Sequence, residues 1–167
     1  LKDDFVVDDN HLGILDIPID FELSTIQQAQ VESVRKELVL INKSIIEKNL
    51  NSLQFPLHFI DYETFPTAIP KIDNMGPHQH LVFQVSTHTM HKDGELTHFE
   101  WLGDKLEQPT AMLKQMQDFT GLTGTFISWN APFEISRNKD MLVWIPQFKD
   151  YLNYMNMHMF DLMSIFK

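Results

Sequence analysis

Apolar and polar positions follow two different rhythms along this chain, and the rhythm changes at Pro56. Before it, Val31, Val34, Leu38 and Ile41 recur at three- and four-residue spacings, which predicts one apolar face of a helix. The tetrapeptide "STIQ" opens that helix as a capping box: Ser24 accepts from the backbone of Gln27, whose side chain reaches back. "SIIE" at Ser44 to Glu47 repeats the signal, so a second short helix is expected to carry Ile46, Leu50 and Leu53 to a stop at Pro56. Ahead of both, residues 1–23 hold acid-rich turns and "GILDIPID", which read as an extended strap.

After Pro56 the pattern is that of strands. "LHFIDYETF" opens with a buried strand from Leu57 to Glu63, and a Pro-containing loop leads to "HLVFQVSTHTM", whose β-branched residues suit a second. A turn at "HKDGE" returns the chain through "LTHFEW" as a hairpin. "EQPTAMLKQMQDFTG" is a helix, with Pro109 near its first turn, Met112, Leu113, Met116 and Phe119 apolar, and Gly121 past its end. "TGTFISW" is continuous and apolar enough for a central strand; it runs into "NAPFEISRNKDML", helical after Pro132, and Pro146 opens a last helix. Helices, strand, hairpin, helix, strand and two more helices make an α/β protein, a mixed sheet flanked by helices.

Length and charge narrow the function. At 167 residues, 43% of them hydrophobic and 6 of them Gly, the chain has the composition of an ordinary globular domain. No run of 18 apolar residues is present, so no membrane span or membrane partner is expected, and the start lacks signal-peptide character, which makes a cytoplasmic location the default. Zero Cys excludes disulfides, thiolate zinc sites and a Cys nucleophile. A net charge of -10 without any Lys/Arg run argues against a broad phosphate-binding face; it fits local, metal-mediated binding of substrate, or a chain whose neighbouring domains supply the basic surface. The first residue, Leu1, and the last stretch, "DLMSIFK", read as the ends of a piece of a longer protein.

Candidate chemistry lies at two strand ends. Residues two apart in a strand share a face, so Asp61 and Glu63 stand side by side while Tyr62 turns the other way. Two like charges so placed repel, and a divalent cation is the usual compensation. Glu134 lies in the first turn of the helix after "SWNAPFE", and ligands of open α/β sheets collect outside the carboxyl ends of strands. If those strands are parallel neighbours, Asp61, Glu63 and Glu134 converge in one cleft. Plainer readings stand beside this one. Asp61 and Glu63 could be solvated or paired with Lys71 or Arg137; Glu134 could face the helix dipole and Asn130 cap the same helix. Five of the eight His fall between His78 and His98, and His78 with His80 could share a strand face and help to bind zinc. Trp129 and Trp144 are expected to pack rather than to stack on bases.

"FIDYETF" resembles the first motif of the DEDD, or DnaQ-like, 3′-5′ exonuclease superfamily, Asp-x-Glu at the end of the first strand of a ribonuclease H-like fold. "WNAPFE" is similar to its second motif. From "LSTIQ" through "LNSLQFPLHFIDYETF", "HLVFQVSTH" and "NAPFE" to "FDLM", the chain looks like the bacterial family domain of unknown function 2779. The superfamily resemblance implies a two-metal nuclease with Mg2+ or Mn2+ as cofactor: Asp61 bridging both ions, Glu63 on one, Glu134 on the other, Asn130 and Phe65 touching substrate, and DNA or RNA as partner alongside other domains of the parent chain. Position 134 is Glu where the superfamily mostly has Asp. Its third motif, which supplies a fourth acid and a His or Tyr base from a later helix, has no counterpart before Lys167, and Asp161 in "FDLM" resembles a step between the second and third motifs. The expected organisation is thus an N-terminal strap and helices over 1–55 and a partial exonuclease domain over 56–167, truncated at its C-terminus and nearly inactive as this fragment. The alternatives are a degenerate nuclease fold that binds nucleic acid or a partner, and a phosphodiesterase for small nucleotides.

Overall fold

The structure, a computed structural model, describes residues 13–166, so the first half of the expected N-terminal strap lies outside the described residues. Two compact units divide them, residues 13–46 and Glu47–Phe166.

In the first unit a 3-10 turn over Ile14–Asp16 stands where "GILDIPID" suggests extended chain. Helix α1 runs over Thr25–Lys36, and the capping box forms: Gln27 N–H donates to Ser24 Oγ at 3.4 Å and Ser24 N–H to Gln27 Oε1 at 2.9 Å. Glu37 ends the helix in the left-handed region, φ 51°, its N–H reaching the carbonyls of Ser33 and Val34. Leu38 and Ile41 therefore fall beyond α1, and of the expected apolar face only Val31 is buried. Helix α2, Lys43–Leu50, begins in this unit; Asn42 Oδ1, accepting from Ile45 N–H at 3.2 Å, occupies the capping role expected of Ser44. Asn42 wins because it stands one residue before the helix, where its short amide reaches the third N–H. Leu53 lies past the end of α2.

The second unit is built on a five-stranded sheet. Strands β1 (Leu57–Pro66), β2 (His80–Met90) and β3 (Leu96–Leu102) form an antiparallel meander, and β4 (Thr125–Ser128) and β5 (Met159–Asp161) add in parallel on the other side of β1, giving the order β3-β2-β1-β4-β5. The parallel additions require crossovers. The β3–β4 connection carries α3 (Thr110–Thr120); α4 (Ala131–Trp144) and α5 (Lys149–Met157) connect β4 to β5. Ile60 and Tyr62 of β1, Val85 of β2 and Phe126 of β4 pack with Met112, Met116, Met141, Trp144, Tyr151 and Met155 of the helices in one buried cluster. The other face of β1, carrying Phe59, Asp61 and Glu63, is exposed, as are His88 of β2 and His98 and Glu100 of β3.

Glycine is required ahead of β4. Gly124 has φ +75°, and a Cβ there would lie 2.0 Å from the carbonyl oxygen of Pro56, which accepts the Thr125 N–H at 3.1 Å. Below Phe126 the ring of buried His58 bridges Thr89 Oγ1 (2.8 Å) and the Thr123 carbonyl (3.2 Å). Burial lowers its pKa, so the neutral ring is the stable form there. Among the described residues no helix is long and apolar enough to cross a membrane.

A candidate carboxylate site at the carboxyl edge of the sheet

Strand β1 outruns its parallel neighbour. Pairing with β4 covers Leu57 to Phe59, opposite Thr125 to Ile127, and β4 stops at Ser128 while β1 continues to Pro66. Asp61 and Glu63 lie on this overhang. Both are exposed and share a face, opposite Ser86 and Gln84 of β2, while Tyr62 is buried on the other side. That disposition follows from the period-two pattern read in the sequence. The described ion pairs are Lys36–Glu32, Lys114–Asp118 and Arg137–Asp140; none takes Asp61 or Glu63, and the Arg137 guanidinium lies 3.2 Å from Asp140 and over the Phe133 ring.

Glu134 opens α4 where the chain leaves β4, and it is 4% exposed. Ser128 Oγ donates to Glu134 Oε2 at 2.6 Å and lies 3.3 Å from the Asn130 N–H, so the last residue of β4 fixes both the acid and the turn. Burial raises the Glu134 pKa; the Ser128 hydrogen bond opposes the rise, and the charges of Asp61 and Asp161 add to it. Those two carboxylates are thus the acidic neighbours whose field reaches Glu134. Tyr62 donates to Asn138 Oδ1 of α4 at 3.0 Å, and Asn138 Nδ2 donates to Asn156 of α5 at 2.9 Å, so a buried polar chain anchors α4 under β1. Because Tyr62 faces α4, Asp61 and Glu63 point to the opposite face. Asp61 and Glu134 share an edge of the sheet without sharing a face, and the Asp61 charge acts on Glu134 across the end of β4.

Asp161 is the residue that the sequence reading set aside. It ends β5 in register with Ser128, and its Oδ1 accepts from Met163 N–H at 3.1 Å. Three adjacent parallel strands, β1, β4 and β5, therefore each deliver an acid to one edge: Asp61, Glu134 through the following turn, and Asp161. The strand that does this for Asp161 is three residues long, too short for any periodic signal.

Asn130 stands at the N-cap position of α4 but makes no side-chain cap; its carbonyl takes the Phe133 N–H at 2.8 Å, and the residue is exposed. The turn is closed by Ser128 and backbone instead. Phe65 is 45% exposed and lines a cavity of 240 Å³ with Phe83, Gly103 and Lys105. Trp129, expected to pack, is 56% exposed, with its ring centroid 5.3 Å from that of Phe166, whereas Trp144 is buried. His78 lies before β2 with φ 61°, so it shares no strand face with His80, whose Nδ1 meets Thr64 Oγ1 at 2.8 Å.

The donor chemistry of the edge is all carboxylate, which suits hard cations such as Mg2+ or Mn2+. Among the described residues no three His, Asp or Glu groups come together closely enough to hold a metal ion. The acids are gathered at one edge, not closed into a cage. Comparison with curated proteins and with solved structures finds no match to this chain. Residues 58–167, which hold Asp61, Glu63, Glu134 and Asp161, match one family, and the chain belongs to it: the domain of unknown function DUF2779.

Proposed function

We propose that this chain carries the acidic edge of a metal-dependent nuclease, a phosphodiesterase of the 3′-5′ exonuclease type with a ribonuclease H-like fold related to the DEDD superfamily, acting on DNA or RNA. The observation that carries the reading is the delivery of Asp61, Glu134 and Asp161 to one edge by three adjacent parallel strands, with Glu63 beside Asp61. The mixed sheet supports it too, because the Asp-x-Glu strand sits at the centre, between an antiparallel and a parallel neighbour.

Asp61, Glu63 and Glu134 would hold Mg2+ or Mn2+. A divalent ion bound there supplies a water of lowered pKa and neutralises charge on the phosphoryl oxygens. Sites of this kind complete their ligand shell with substrate phosphate and water, so the protein's part is to set carboxylates along one edge rather than to build a closed cage. Ser128 holds the Glu134 carboxylate in place. The exposed Phe65 ring offers a face for a nucleobase, and base–aromatic stacking is tolerant of sequence. The exposed Asn130 amide, not used for capping, offers donors to a phosphate or base edge.

The net charge of -10 favours a second reading, hydrolysis of short substrates that need no long basic track. One assay addresses both: hydrolysis of a labelled single strand and of a dinucleotide by the full-length protein, with Mn2+ or with chelator. The expected result is Mn2+-dependent cleavage that falls at least a hundredfold in Asp61→Asn and in Glu134→Gln. Preference for the dinucleotide would select the second reading. Cleavage that survives both substitutions, or no cleavage of either substrate, would overturn the proposal and leave the non-catalytic binding fold.

A further inference from the structure

The exposed face of the β2–β3 hairpin carries a pair of imidazoles that the carboxylate edge does not use. His88 and His98 are direct cross-strand partners, both exposed, with ring centroids 4.2 Å apart and planes inclined by 19°. We propose that they form a two-nitrogen chelating site for a borderline divalent transition cation, with Zn2+ as the first example.

Three observations converge on this site. The first is spacing. Tetrahedral zinc with Zn–N bonds of about 2.0–2.1 Å needs its two nitrogens roughly 3.3 Å apart. Rings already stacked at 4.2 Å reach that separation by opening the angle between their planes, with no change in the strand register that pairs them. The second is a tautomer device. Ser86 Oγ lies 3.3 Å from His98 Nε2. With Nε2–H engaged there, Nδ1 carries the free lone pair, which is how an outer hydrogen bond commonly prepares a ligating histidine. The third is the surrounding charge. Glu100 shares the exposed face two residues from His98, and Asp61, whose strand partner is Ser86, lies diagonally across from His88. Both acids favour a cation on this face, and waters complete the ligand shell.

The selectivity expected differs from that of the sheet edge. Imidazole suits Zn2+, Ni2+ and Cu2+ and is a poor ligand for Mg2+, so the hairpin and the edge would sort cations by class. The site is independent of the nuclease reading and stands or falls apart from it.

Zinc titration by calorimetry at neutral pH, without other divalent ions, tests the site. Wild type should bind one Zn2+ at the pair. His88→Gln and His98→Gln should each weaken that binding at least tenfold, and the double variant should lose little more than either single one, because a chelate broken once is already lost. His78→Gln should stay within about threefold of wild type, and circular dichroism should show every variant folded, since these side chains are exposed. Zinc affinity that is unchanged in either His variant, absent in wild type, or lost equally in His78→Gln would overturn the proposal.

Discussion

Ser128 Oγ donates a 2.6 Å hydrogen bond to Glu134 Oε2, tying the last residue of a central strand to the acid that opens the next helix. The pair is buried, so the carboxylate has little water to solvate it and relies on this donor. Ser128→Ala should cost about 1–3 kcal/mol at pH 7, the usual penalty for leaving a buried polar group unsatisfied. The hydrogen bond favours the charged carboxylate, so the loss should shrink as acid protonates Glu134. Urea melts at pH 7 and pH 4 check both the size and its pH dependence; an equal loss at both would detach the effect from the carboxylate's charge.

Burial is the main cause of the raised Glu134 pKa, and the charges of Asp61 and Asp161 act in the same direction. Asp61→Asn and Asp161→Asn should therefore each lower the pKa of Glu134, read from the titration of its side-chain carboxyl carbon by NMR. The same reasoning fixes a sign for stability. A carboxyl whose pKa is raised in the folded state costs stability as pH climbs from its unfolded value, about 4.3, through its folded one. Either substitution should reduce that cost at neutral pH. A Glu134 titration that moves in neither variant would separate the three acids.

His58 pulls the other way. Its pKa is lowered, chiefly by burial, so the unfolded chain takes a proton more readily than the folded one. Stability should then fall as pH drops below about 6.5, the unfolded value, and go on falling until the lowered folded pKa is passed. A His58→Gln variant, whatever its stability at pH 8, should show a flatter dependence between pH 7 and pH 5. An identical slope in variant and wild type would assign acid sensitivity elsewhere.

Gly124→Ala should destabilise the second unit by about 1–3 kcal/mol, since φ is positive there and the added methyl meets the Pro56 carbonyl. Thermal melts of the variant against wild type measure it.

What is legible in the sequence follows from how local each signal is. The Asp61/Glu63 face and the burial of Tyr62 need only the two-residue period of a strand, and the end of α3 needs only Gly121 with its φ of +65°. The helix α1 start is equally local, but its apolar face is not: whether Leu38 and Ile41 continue the helix depends on Glu37 adopting a left-handed conformation, which no periodicity announces. Asp161 is the larger omission. Its place at the edge depends on β5 pairing with β4 across the whole α4–α5 connection, so three residues, "MFD", carry no pattern of their own. Ser128 has the same character. Its value lies in facing Glu134 six positions on, a contact that exists only once strand, turn and helix have formed.

The central claim is the proposal that the carboxylate edge of Asp61, Glu63 and Glu134, with Asp161 beside it, attracts a hard divalent cation, and paramagnetic broadening by Mn2+ in the NMR spectrum of this chain tests it most directly, because broadening detects weak sites. At substoichiometric Mn2+ the signals of residues 61–63, 128–134 and 161 should broaden first, recover on excess Mg2+, and stay sharp in Asp61→Asn. Broadening that is spread evenly over exposed acids, centred on the His88–His98 pair, or unchanged by Asp61→Asn would contradict it.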